Sequence, residues 1–120
     1  MMINNRIEAL YIHIPFCSYI CNYCDFYKMI AKPQAQEKYI DYLIKEIELK
    51  KDLFKDIKTV YIGGGTPSAL PISSLNKLLK YLWNYLDYNK VSEFTIEANP
   101  IDINQALINI IKNNHVNRVS

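Results

Sequence analysis

Cys17, Cys21 and Cys24 are the only cysteines of the chain, and they fall within eight residues as C-x-x-x-C-x-x-C. Three thiolates on one short loop suit three irons of a 4Fe–4S cluster and leave the fourth iron open to a small molecule. Clusters that only carry electrons ordinarily have four cysteine ligands. The incomplete set therefore points to ligand binding or chemistry at the exposed iron. Structural zinc needs four closed ligands; His13 and Asp25 would complete such a set on paper. His13, however, stands between Ile12 and Ile14 in what reads as a buried strand, where a packed core histidine is the plainer reading. A disulfide would leave one thiol over, and no secretory signal precedes it. Spacing alone favours a cluster and leaves a zinc site and buried thiols open.

Two further features could serve a ligand. Gly63, Gly64, Gly65, Thr66 and Pro67 follow an apolar run. A glycine triplet is commonly just a turn. It also lets backbone approach a ligand closely and offer N–H and C=O groups. No lysine follows where a phosphate-binding loop requires one, so the amino-acid end of a zwitterionic ligand suits this edge better than a triphosphate. Glu97 lies between Ile96 and Ala98. It reads either as an outward strand residue or as an acceptor for ribose hydroxyls, the chemistry that dinucleotide sites use. Tyr11 precedes the cysteines by six residues. Tyr23 abuts Cys24 and is either core or a cover for a flat heterocycle.

The elements that must position these residues are legible from periodicity. Leu10 to Ile14 reads as a strand stopped by Pro15, and Thr59 to Ile62 as a fully apolar strand of the kind buried in parallel sheets. Glu93 to Ala98 is a third strand, and Val116 to Ser120 the start of a fourth. Helices are expected over about 34–54 and 72–86, with a third opened by Asp102 or Asn104 as cap. The order strand, loop, helix, three times over, implies an α/β fold with parallel strands and right-handed crossovers. Ligands in such folds bind at the carboxyl ends of the strands. The cysteines, the glycine turn, Glu97 and Tyr11 are all expected there.

With 120 residues, half of them hydrophobic, the chain suffices for one small domain. Three βα units do not close a barrel, and the helices' apolar faces call for more sheet. The expectation is that residues 1–120 form the N-terminal part of a longer, truncated (β/α) barrel. The net charge of +2 argues neither for nor against nucleic acid, and no run of like charges stands out; no nucleic-acid partner is expected. No apolar stretch is long enough to span a bilayer. The simplest address is the cytoplasm, where thiols and cluster ligands survive.

The segment CSYICNYC resembles the C-x-x-x-C-x-Φ-C signature (Φ aromatic) of the radical S-adenosylmethionine (SAM) superfamily. YIHIPFC, YCDFY, VYIGGGTPS, FTIEANP and NRVS narrow the resemblance to haem chaperones of the HemW type, relatives of oxygen-independent coproporphyrinogen III oxidase, over Leu10 to Ser120. The oxidases carry a further cysteine two residues after the third; here that position is Phe26. The departure favours the HemW-like branch over radical oxidation of coproporphyrinogen III in porphyrin biosynthesis.

The resemblance implies a partial radical SAM barrel of about three βα units plus the start of strand four. It implies that Cys17, Cys21 and Cys24 ligate a 4Fe–4S cluster. SAM would chelate the open iron and be lined by Tyr11, Gly64, Gly65, Thr66 and Glu97, with Tyr23 beside the adenine. It further implies haem as cargo, haem-accepting proteins such as respiratory enzymes as partners, and an electron donor. The family's remaining SAM contacts and its haem-associated motif would lie beyond Ser120. An oxidase and a decayed, inactive fragment are the competing readings.

Overall fold

A computed structural model describes residues 6–16 and 33–120. Among these, four strands form one parallel sheet in the order β1 (Ala9–Ile14), β2 (Thr59–Gly64), β3 (Glu93–Ile96), β4 (Arg118–Val119). Helices α1 (Pro33–Leu49), α2 (Ile72–Leu82) and α3 (Gln105–Asn113) connect them. The α/β class and the three βα units are as expected.

Successive side chains of a strand point to opposite faces, and parallel register turns that rule into rows across the sheet. Ile12, Ile62 and Ile96 are paired across β1, β2 and β3 and are nearly or fully buried. They face the helices. One residue back, Tyr11, Tyr61, Thr95 and Arg118 form the row on the opposite face. The segment Thr59 to Ile62 is therefore not buried on both sides: Val60 and Ile62 are core, whereas Tyr61 is half-buried on the open face. His13 is likewise exposed on that face rather than packed in the core, because it shares the parity of Tyr11 and not that of Ile12 and Ile14.

Much of each helix's apolar stripe is buried against the sheet, while Ile103 and Val119 beside α3 stay about half exposed. Leu75, Leu78, Leu79 and Leu82 of α2 are all at 0% exposure. Ile40 and Ile47 of α1 and Leu107 and Ile110 of α3 join the same core. Each fully buried aliphatic side chain contributes about 1.5–3 kcal/mol by leaving water.

Helix ends differ from the periodicity. The first helix stops at Leu49, and Phe54 reaches the core through a 3₁₀ turn over Lys51–Leu53. The second stops at Leu82, and Leu86 is buried from the turn that follows. Asn104 caps α3, accepting from the Leu107 N–H at 2.9 Å. Asp102 instead accepts the Ser68 hydroxyl.

Polar contacts lock the helical layer. Glu48 of α1 accepts hydroxyls from Tyr81 and Tyr85, and Lys51 lies 3.2 Å away. Those donors, Tyr81 first, then Tyr85 and Lys51, hold its carboxyl down at about 2 from the ordinary 4.5. Buried Asn114 donates to Asn76 of α2 at 3.0 Å, and its carbonyl takes the Trp83 indole N–H at 2.7 Å. No helix among the described residues is long and apolar enough to cross a membrane.

Candidate functional site at the carboxyl ends of the strands

Each glycine of the turn after β2 has its own steric reason. Gly64 has φ +114°, a left-handed conformation in which any side chain is strained. A Cβ there would also lie 2.7 Å from the His13 ring. A Cβ on Gly65 would stand 2.3 Å from the Phe16 carbonyl oxygen. The chain runs this close because Gly65 N–H donates to Ile14 O at 2.6 Å and Thr66 N–H to Phe16 O at 2.7 Å. Phe16 is buried, with its ring edge-on to Tyr39.

The glycine turn thus grips the residue immediately before Cys17. This corrects one expectation from the sequence. The N–H groups of Gly65 and Thr66 are bonded to the end of β1 and its extension, not held out toward a ligand.

Glu97 follows β3 directly, its N–H donating to Ile62 O at 3.0 Å. Its side chain lies on the open face, where Oε1 accepts the Tyr61 hydroxyl at 2.6 Å. That bond is the main reason the Tyr61 phenol is pushed up from its ordinary range, a hydrogen bond with Ser120 working the other way. A cleft of about 430 Å³ opens beside it, lined by Gly65, Thr66, Glu97, Ala98, Asn99, Pro100 and Ser120. Its walls are tied together by Ser68, whose hydroxyl donates to Asp102 Oδ2 and accepts from the Asn99 N–H, both at 2.9 Å.

The structure therefore brings Gly65, Thr66 and Glu97 to one cleft, which Gly64 does not line. Tyr11 does not line it. It is 57% exposed on the open face, its hydroxyl 3.2 Å from His13 Nδ1 and its ring stacked at 5.9 Å on that of Tyr61. It reaches the cleft only through Tyr61 and Glu97. Cys17, Cys21, Cys24, Tyr23, Asp25 and Phe26 lie outside the described residues. Among the described residues no group of three His, Cys, Asp or Glu side chains could hold a metal ion.

Sequence reasoning missed Tyr61, Ser68 and Asp102. Ser68 left a faint signal as the residue after Gly-Thr-Pro; Tyr61 left none, since it reads as one more residue of an apolar strand. The cleft sets a half-buried carboxylate, an acceptor of hydrogen bonds, beside backbone at which a Cβ would collide with neighbouring protein atoms.

Comparison with known proteins agrees with this arrangement. The family model of the radical SAM superfamily matches residues 11–120. The chain is 44% identical over 113 residues to the haem chaperone HemW of Lactococcus lactis, covering 94% of this chain and 29% of the relative. It is 40% identical over 117 residues to HemW of Bacillus subtilis, covering 95% and 31%. It thus spans about three tenths of the length of these relatives. The solved structure of coproporphyrinogen III oxidase (HemN) from Escherichia coli, described as a radical SAM enzyme, superposes with a TM-score of 0.81 at 31% identity. That likeness covers 95% of this chain and 27% of the oxidase. The family model that matches residues 11–120, the HemW relatives and the superposition on HemN make this chain a member of the radical SAM superfamily.

Proposed function

We propose that the chain binds a 4Fe–4S cluster through Cys17, Cys21 and Cys24, and SAM through Tyr11, Tyr23, Gly64, Gly65, Thr66 and Glu97, in a cytoplasmic haem chaperone of the HemW type. The observation that carries the cofactor reading is the cleft itself. Glu97 stands beside Gly65 and Thr66, and the same glycine turn anchors Phe16 at the root of the cysteine loop. A cluster bound there supplies an open iron for the amino and carboxylate groups of SAM and a source of one electron. The chain's own part is to orient. Glu97 accepts the ribose hydroxyls, the glycine turn admits the ligand without steric conflict, and Tyr23 covers the adenine.

Haem carriage rests on the relatives named above and on Phe26, which stands where an oxidase carries its extra cysteine. Haem is then cargo, handed to acceptor proteins such as respiratory enzymes, with an electron donor as a second partner. The oxidase is the second reading, favoured by the superposition on HemN.

Anaerobic reconstitution with iron and sulfide should give a 4Fe–4S spectrum that Cys21→Ala abolishes; stoichiometric zinc without iron–sulfur absorbance would defeat the cofactor reading. With the cluster verified in the full-length protein, haem should bind with a Soret band and coproporphyrinogen III should remain unconverted in the presence of SAM and a reductant. Efficient decarboxylation would promote the oxidase. Absence of both activities would favour a decayed fragment.

A further inference from the structure

Tyr61 precedes the glycine turn and is assigned no role by the sequence reading, yet three features converge on it. Its hydroxyl donates to Glu97 Oε1 at 2.6 Å across 36 positions of sequence. Its ring is held from the other side by the Tyr11 ring, 5.9 Å away and tilted by only 16°. The space for the contact exists because residue 63 is glycine: a Cβ there would lie 2.6 Å from Tyr61 Cε1 and 2.7 Å from Glu97 Oε1.

We propose that Tyr61 is a positioning residue for ribose recognition, fixing the Glu97 carboxylate as an oriented acceptor for the vicinal diol of a ribonucleoside. The inference rests on the reading of Glu97 as a SAM contact and names the partner that reading lacks. A glutamate stem has three rotatable bonds, so an untethered carboxylate samples many orientations and loses that freedom on binding. An O–H···O⁻ bond of this length is charge-assisted and among the stronger hydrogen bonds of a protein. It occupies one lone pair of Oε1. The second lone pair and both of Oε2 remain for two adjacent hydroxyls, since an ionised carboxylate accepts at about four sites. Tyr61 does not line the cleft; it touches the cleft wall through Glu97 and through a hydrogen bond with Ser120, and orients the carboxylate through the first.

The test is a binding cycle on the reconstituted holoprotein with Tyr61→Phe, Glu97→Ala and the double variant. The Phe variant keeps the ring stack and deletes only the hydroxyl. Three probes are titrated: SAM, 5′-methylthioadenosine, which has ribose but no amino acid, and methionine, which has the amino acid but no ribose. Loss of one hydrogen bond to a charged group should weaken SAM and 5′-methylthioadenosine by roughly tenfold. Methionine binding and cluster content should not change. In the Glu97→Ala background, Tyr61→Phe should add nothing.

If Glu97→Ala weakens SAM and Tyr61→Phe does not, the positioning role is wrong while the SAM reading stands. If neither variant moves either ribose-bearing probe, the SAM reading of Glu97 fails and takes this proposal with it. Equal weakening of methionine, or effects that add in the double variant, would show general damage and overturn the proposal. Should Tyr61→Phe lose its cluster or its melting transition, Gly63→Ala approaches the same contact from the other side, pressing Tyr61 and Glu97 apart while removing neither. It should then weaken the ribose-bearing probes and spare methionine, and equal effects on all three would again overturn the proposal.

Discussion

The two faces of the sheet are built from the same strands, residue by residue in alternation, and they do opposite work. On the helical face the row Ile12, Ile62, Ile96 is nearly or fully buried under α1, α2 and α3. On the open face the neighbouring row Tyr11, Tyr61, Thr95, Arg118 carries rings, hydroxyls and charge, and leads to Glu97 at the strand ends. Stability is concentrated on one side, and the groups proposed for recognition lie on the other. Substitutions should therefore separate cleanly by face, and that separation is what the following measurements test.

The largest loss of stability is expected on the helical face. Leu78→Ala should cost about 3 kcal/mol, because its side chain is at 0% exposure and leaves a cavity. Denaturant unfolding measures it, and SAM affinity of the folded protein should be unchanged. Gly64→Ala comes next, at about 2 kcal/mol for a side chain forced to a positive φ. It should also lower cluster content, because the turn anchors Phe16 beside Cys17.

Asn104→Ala should cost about 1 kcal/mol through loss of the α3 cap, with no effect on cluster or SAM. Glu97→Ala should cost about 1 kcal/mol, the loss of one partly buried hydrogen bond from the Tyr61 hydroxyl, yet weaken SAM binding at constant cluster content. An unfolding cost as large as that of Leu78→Ala would collapse the distinction between the faces.

The smallest effect is one of pH. Glu48 is held at about 2 in the folded chain against an ordinary 4.5, chiefly by the Tyr81 and Tyr85 hydroxyls. A carboxyl with a depressed folded value contributes stability that is fully present above 4.5 and is lost as pH falls toward 2. Glu48→Gln should flatten the acid limb of the stability curve in that window. An unchanged limb would show that the tyrosine clamp is not formed in solution.

Much of this was legible in the sequence for local reasons. Leucines at helical spacing from Leu75 to Leu82 announced α2 and its buried stripe, and Gly63 to Gly65 announced a turn after a strand. The candidate site was legible because parallel α/β topology sends every strand end to one side, so Gly65, Thr66 and Glu97 had to be near one another. Helix ends were less legible. Phe54 and Leu86 keep helical spacing in sequence but reach the core from turns, since burial rewards the final position of a side chain and not the helix it would extend.

By itself, then, the sequence determined the order of elements, the residues able to form the core and the groups able to do chemistry. All of these follow from local periodicity and residue type. Only the tertiary structure decided the face on which each strand residue lies and which distant groups meet. Register is a property of paired strands, and a slip of one residue would exchange the two faces. That pairing moved His13 out of the core. It set Tyr11 on Tyr61, and Tyr61 against Glu97, 36 residues away. The need for glycine at position 63 arises at that meeting point, where two side chains from different strands fill the space a Cβ would take.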